Sequence, residues 1–310
     1  MTSLFEDIRA GKPRAVARAI SLVENRDPHS TELMRQVFLA RGEALVLGVT
    51  GAPGSGKSTL ADQLIEHYRR ESLPVGVVAV DPSSPFTGGA ILGDRIRMMR
   101  HSLDPGVFIR SMATRGHLGG LAKATGEAIA VFEAAGKRMV LVETVGVGQD
   151  EVEVVKLADI VLVILTPGQG DDIQAFKAGI MEIADIFVLN KADSPGADKL
   201  EKQLKAMLEL GHKDKRIPAV IRTVATEGRG TQELAAAVED FRRHSNGGLR
   251  ETRKKLLIHW LLLDTLQAKL LDLISGGLST DEFDDYVEKI YRKESDPYTA
   301  ADSILARLKS

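Results

Sequence analysis

The chain has 310 residues, 44% hydrophobic and 27% charged, which is enough for a full apolar core under a charged surface. Its 41 Lys and Arg against 43 Asp and Glu leave a formal net charge of -2, which argues against a general binder of nucleic acid or anionic membrane and toward small molecules and proteins as partners. With no cysteine, disulfides, thiolate catalysis and cysteine-ligated zinc are excluded; the chain suits a reducing cytosol, and a cytoplasmic location is expected.

Met1 to Asp7 lack the basic-then-apolar pattern of a secretory signal. Residues 4–42 read as two or three short helices, with Val16, Ala19, Ile20 and Val23 on one face and a break at Asp27-Pro28. From residue 44 onward, short apolar runs alternate with helical patterns, at 44–49, 75–80, 107–110, 139–142, 160–165, 186–189 and 219–224. Continuous apolar strands separated by helices predict an α/β fold, a doubly wound and mostly parallel sheet covered on both faces. Ligands bind such sheets at the carboxyl ends of the strands.

The first strand runs into Gly51-Ala52-Pro53-Gly54-Ser55-Gly56-Lys57-Ser58, a GxxxxGKS phosphate-binding loop, and Leu60, Ala61, Leu64, Ile65 and Tyr68 then recur at helical spacing. Backbone N–H groups must wrap a phosphate chain closely, which requires glycines. Gly54, Ser55, Gly56, Lys57, Ser58 and Thr59 are therefore the candidate nucleotide contacts, with Lys57 reaching the β- and γ-phosphates and Ser58 ligating Mg²⁺.

Asp81 ends the second strand, and the following stretch holds flexible glycines, Asp94 and Arg95. Position alone suggests a switch loop, with Asp81 in the metal environment and Asp94 or Arg95 engaging the γ-phosphate or the attacking water, against the plain reading of a solvated loop. A second glycine-rich stretch at 115–121, containing His117, is either another switch or a helix start. Glu143-Thr144-Val145-Gly146 stands where GTPases carry DxxG, so Glu143 is a candidate catalytic and Mg²⁺ residue and Gly146 a γ-phosphate sensor. No glutamine directly follows Gly146, and Gln149 lies three positions on, so slow intrinsic hydrolysis is expected.

Asn190-Lys191-Ala192-Asp193 matches NKxD, in which the aspartate accepts both N1–H and the 2-amino group of guanine, a pairing that adenine leaves unsatisfied. Near the last strand, Val224-Ala225-Thr226 resembles the SA[KL] loop whose backbone N–H covers guanine O6, with Ala225 carrying the match. The seven histidines show no metal-ligand spacing. Beyond about residue 245 the pattern is helical; leucines and other apolar residues between 256 and 274 cover more than one face, predicting burial on two sides, against the chain's own domain or a second subunit. That segment is interrupted by His259, Asp264, Gln267, Lys269 and Asp272, and is too polar to span a bilayer.

Residues 51–58, 80–94, 115–121, 143–149, 179–185 and 190–193 together resemble the methylmalonyl-CoA mutase-associated GTPases. This is the MeaB or methylmalonic aciduria type A protein family, also catalogued as ArgK or LAO/AO transport ATPase. The resemblance implies a GTPase of the class that includes signal-recognition-particle and nickel-insertion GTPases, binding GTP or GDP with Mg²⁺. It implies a chaperone that assists and protects an adenosylcobalamin-dependent acyl-CoA mutase and gates cofactor loading. By position it implies Lys57 as the phosphate lysine, Ser58, Asp81 and Glu143 around Mg²⁺, and Asp94 in the catalytic switch. It also implies a homodimer, so the expected organisation is an N-terminal helical extension over 1–42, a P-loop GTPase domain over 43–245 and a C-terminal helical dimerisation arm over 246–310. The competing readings are a P-loop ATPase or kinase linked to amino-acid transport, a metal-insertion GTPase, and a GTP switch with an unrelated partner. The NKxD loop speaks against the first and the lack of cysteine against the second.

Overall fold

Seven runs rich in Val, Ile and Leu pair as parallel strands: β1 (Leu45–Gly51), β2 (Val75–Pro82), β3 (Val107–Thr114), β4 (Met139–Glu143), β5 (Ile160–Leu165), β6 (Ile186–Leu189) and β7 (Ala219–Arg222). In the computed structural model, which describes residues 3–82, 99–101, 103–114, 120–144, 157–168, 183–211, 217–245 and 248–308, the strand order is β3-β2-β4-β1-β5-β6-β7. β1 therefore lies between β4 and β5, where the chain stops building on one side and crosses to the other. Such a crossover opens a crevice at the carboxyl ends of the strands.

The two-residue period of the strands sends Val46, Val140 and Val142 to one face and Leu47, Leu141 and Ile160 to the other. Both faces are apolar because helices cover both. α4 (Lys57–Arg70) and α7 (Thr231–His244) cover the Leu47 face. α5 (Gly120–Ala134) and α6 (Ala197–Gly211) cover the Val46 face, where α1 (Leu4–Arg9), α2 (Pro13–Glu24) and α3 (Ser30–Ala40) form a further layer on α5. Val16, Ala19, Ile20 and Val23 of α2 are buried in one cluster with Val78 and Phe132, so these N-terminal helices are part of the core rather than an appendage.

The chain divides into two compact units, Met1–Leu257 and Ile258–Ser310. The first takes in the start of α8 (Gly248–Gly277), which is pinned by Arg253: its guanidinium donates to both carboxylate oxygens of Asp185 at 2.7 and 2.8 Å and to the Asp159 carbonyl at 2.6 Å. Asp159 and Asp185 also accept the backbone N–H groups of Val46 and Val161, so the two aspartates close the amino end of the sheet. The second unit holds the rest of α8 with α9 (Thr280–Tyr291) and α10 (Pro297–Leu308). Ser279 and Glu282 form a reciprocal capping box at the start of α9, and Arg307 of α10 reaches Glu282 at 2.8 Å. Among the described residues, no helix is long and apolar enough to cross a membrane.

Three expectations need correction. β3 continues to Thr114 instead of ending at 110, because an edge strand tolerates polar residues where a central one does not, and Arg110 leaves the sheet to bond Glu24 of α2. β7 stops at Arg222 instead of 224, because Thr223 turns its hydroxyl inward to Asn190 and Val224 pairs with Arg229 across a tight loop. The 256–274 leucines depart from the predicted two-sided burial: Leu256, Leu263, Leu270 and Leu271 are exposed, and among the described residues Leu261 is the buried leucine of α8.

Candidate nucleotide site

The glycine spacing of residues 51–58 is enforced by close packing. A Cβ on Gly51, whose φ is 146°, would lie 2.3 Å from the Ile164 carbonyl oxygen of β5. Gly56 caps α4 in the left-handed region, and a Cβ there would stand 2.3 Å from Asn190 Nδ2. The loop thus delivers Lys57 and Ser58 into the first turn of α4, which carries no acidic residue. The positive end of that helix faces the carboxyl ends of the strands and favours an anion there.

Lys57 is buried, and its ammonium folds back to donate to the Gly51 and Ala52 carbonyls at 2.7 and 3.1 Å. The Ser58 hydroxyl donates to Glu143 Oε1 at 2.5 Å. β1 and β4 are neighbours with Val49 in register with Glu143, so the sheet itself puts that carboxylate beside the loop. Thr144 secures the same corner through its N–H to the Val49 carbonyl and its hydroxyl to Thr50 Oγ1, both at 3.1 Å. Asp81 lies near the end of β2, two residues beyond the Ala79 that is in register with Glu143.

Asn190, following β6, is 2% exposed and joins three segments. Its Nδ2 donates to the Ser55 carbonyl at 2.8 Å, while its Oδ1 accepts from Thr223 Oγ1 and from the Ala225 N–H, both at 3.1 Å. Lys191, at a positive φ of 54°, adds a bond from Nζ to the Gly54 carbonyl at 3.0 Å. Arg222 holds the same turn from below through the Ala192 carbonyl and ion pairs to Asp198 and Glu201. Asp193 is exposed at the rim of this turn.

The structure therefore brings Ser55, Lys57, Ser58, Glu143, Asn190, Lys191 and Ala225 to one end of the sheet, with Gly54 in the loop between. Ala225 departs from the expected geometry, since its N–H is engaged by Asn190 rather than open to a base. Thr223 was missed in the sequence, where a threonine after a strand carries no signal of its own. Asp94, Arg95, Gly146, Gln149 and His117 lie outside the described residues. Of the histidines, His101 is buried against Asp62 at 2.9 Å, a structural contact.

A serine hydroxyl and a carboxylate are hard oxygen donors suited to Mg²⁺. Among the described residues, no group of three or more His, Cys, Asp or Glu could hold a metal ion.

Residues 16–277 match the family described as Methylmalonyl Co-A mutase-associated GTPase MeaB. A Pyrococcus abyssi protein provisionally named a GTPase is 49% identical over 98% of this chain and 96% of its own length. GTPase ArgK of Escherichia coli is 38% identical over 90% of this chain and 86% of its own. The mitochondrial methylmalonic aciduria type A homolog of Mus musculus is 32% identical over 99% of this chain and 79% of its own. A crystal structure of an LAO/AO transport system kinase superposes with a TM-score of 0.70 at 29% identity, covering 99% of this chain and 97% of that one. The chain belongs to the MeaB family of P-loop GTPases.

Proposed function

We propose that this MeaB-family protein binds GTP with Mg²⁺ at residues 51–58, hydrolyses it slowly to GDP and phosphate, and through that cycle assists and protects an adenosylcobalamin-dependent acyl-CoA mutase of the methylmalonyl-CoA mutase type. The observation that carries the nucleotide reading is the Asn190 clasp, which ties the phosphate loop to the NKxD turn and the 223–225 loop through Ser55, Thr223 and Ala225. Phosphate and base subsites so joined have a fixed separation, which suits one nucleotide held at both ends.

In this reading Lys57 exchanges the Gly51 and Ala52 carbonyls for phosphate oxygens, keeping its charge within a site already shaped for it. Ser58 through its hydroxyl oxygen and Glu143 through its carboxylate, directly or by way of water, are the residues that would hold Mg²⁺. Bound Mg²⁺ would neutralise charge on the β- and γ-phosphate oxygens. Asp81 supplies a second acid on the adjoining strand, and Asp94 and Gly146 are assigned to the γ-phosphate side. Asp193 selects guanine through N1–H and the 2-amino group. Ala225 acts by seating Asn190, a change from the direct contact expected of it.

The mutase partner is supported by the family description and by the likeness to the mouse methylmalonic aciduria homolog. The exposed leucines of α8 support a homodimer with the C-terminal helices as the arm between subunits. The proposed location is the cytoplasm. The second reading, an ATP-dependent kinase linked to LAO/AO transport, is favoured by the name of the protein in the matched crystal structure. Purified methylmalonyl-, isobutyryl- and ethylmalonyl-CoA mutases test the partner assignment. One of them is expected to bind the GTP-loaded protein and to change its phosphate release, and no binding to any of the three would refute it.

A further inference from the structure

At the opposite end of the sheet from residues 51–58, the starts of β1 and β4, the last turn of α4 and residues of α7 surround a cavity of about 870 Å³. Its size falls in the range of small-molecule sites, roughly 300–1,000 Å³. Two of its lining groups lack partners among the described residues, Tyr68 buried and Arg138 exposed. Tyr68 is 6% exposed, and its hydroxyl is buried with no hydrogen-bond partner among the described residues, although buried tyrosine hydroxyls are ordinarily satisfied. Arg138 carries a guanidinium that no carboxylate among the described residues pairs with, whereas its neighbours Arg242 and Arg250 are held by Glu239 and Asp159.

The rest of the lining defines what could fit. Leu45, Leu73 and Met139 form an apolar wall. Among the described residues Arg242 and Arg243 are paired with Glu239 and Arg250 with Asp159, which leaves Arg138 as the unpaired arginine of the lining, a single positive charge that matches a monoanion better than a phosphomonoester carrying close to two negative charges. Burial, and then the carboxylates of Glu71 and Glu239, push the Tyr68 phenol above its ordinary value, so it remains a hydrogen-bond donor.

We propose that this cavity is a second ligand site, for a small organic monocarboxylate whose charge rests on Arg138, whose carbon body lies on Leu45, Leu73 and Met139, and whose acceptor oxygen meets the Tyr68 hydroxyl. Tyr68 is eleven positions beyond Lys57 on α4, a separation of about 16 Å at roughly 1.5 Å per residue, so the site does not overlap the nucleotide site. The proposal is independent of the GTPase reading.

The test uses 1-anilinonaphthalene-8-sulfonate as a fluorescent amphiphilic monoanion on the full chain, reading only the signal that octanoate displaces, because the exposed leucines of α8 also bind the dye. Octanoate is expected to displace it saturably, octanol and Mg²⁺-GDP are not, and octyl phosphate is expected to bind more weakly than octanoate. Arg138→Ala should weaken octanoate about tenfold or more, the effect of losing a charged hydrogen bond, and Tyr68→Phe about threefold to tenfold. Ala236→Trp, at an exposed lining position, should block the cavity while circular dichroism stays unchanged. The proposal is overturned if no octanoate-displaceable signal exists, if it survives Arg138→Ala and Ala236→Trp undiminished, or if octanol, octyl phosphate or GDP displaces the dye as well as octanoate does.

Discussion

Asn190→Ala deletes one side chain and three hydrogen bonds that together hold the two halves of the proposed nucleotide site. It leaves behind the Ser55 carbonyl, the Thr223 hydroxyl and the Ala225 N–H, on residues that are 0%, 1% and 3% exposed. A buried polar group left unsatisfied costs about 1–3 kcal/mol, and water entering the vacated space recovers part of it, so a net loss of about 3 kcal/mol is expected. In a unit of this size each kcal/mol lowers the melting temperature by about 2–4 °C, which gives a drop of about 6–12 °C. Differential scanning calorimetry is the assay, taking the transition that shifts upward when Mg²⁺-GDP is added, since a chain of two units need not melt in one step. Asn190→Asp keeps the acceptor for Thr223 and Ala225 but sets a carboxylate oxygen against the Ser55 carbonyl, and should fall by a comparable amount. GDP affinity should drop at least tenfold in both. A melting temperature within about 2 °C of the parent, with unchanged GDP affinity, would refute the claim that Asn190 is the clasp, since even one orphaned group costs about 1 kcal/mol.

Other consequences follow from single contacts. Gly51→Ala places a Cβ against a backbone oxygen that cannot move without parting β1 from β5, so the variant should melt well below the parent by circular dichroism; a parent-like melt would contradict the close approach. The Asp104 carboxyl is held below its ordinary value, first by the hydrogen bond from Arg69 and then, against a smaller opposing effect of burial, by the Gly106 N–H. Its stabilisation is present above the unfolded value, about 3.9, and is lost as pH falls through the lower folded value, so Asp104→Asn should flatten acid unfolding in that window as followed by tryptophan-independent far-ultraviolet dichroism. Light scattering at micromolar concentration should give twice 33.6 kDa if the α8 leucines meet a second subunit, and a 33.6 kDa particle would remove that arm.

The sheet was legible because parallel strands covered on both faces must be continuously apolar, and Val75 to Val80 or Ile160 to Leu165 admit few other readings. The phosphate loop was legible because its glycines answer to local geometry, here the Ile164 carbonyl and Asn190. What escaped the sequence was nearly always a contact between distant positions. Ser58 and Glu143 each stood out, but their hydrogen bond across 85 positions exists only because β4 lies beside β1. Asn190 announced a base-recognition motif and gave no sign that its amide would be consumed inside the protein. Tyr68 read as one more apolar position of α4, and nothing along the chain linked it to Arg138. The α8 leucines announced burial, but a periodic pattern does not specify what covers it.

Guanine-specific hydrolysis through Lys57 is measured as phosphate release with GTP and ATP at equal concentration, in Mg²⁺ and then in excess chelator, for the parent chain and Lys57→Ala. Slow release from GTP alone is expected, lost on chelation and abolished in Lys57→Ala. Equal turnover of ATP, or undiminished release by Lys57→Ala, would contradict it.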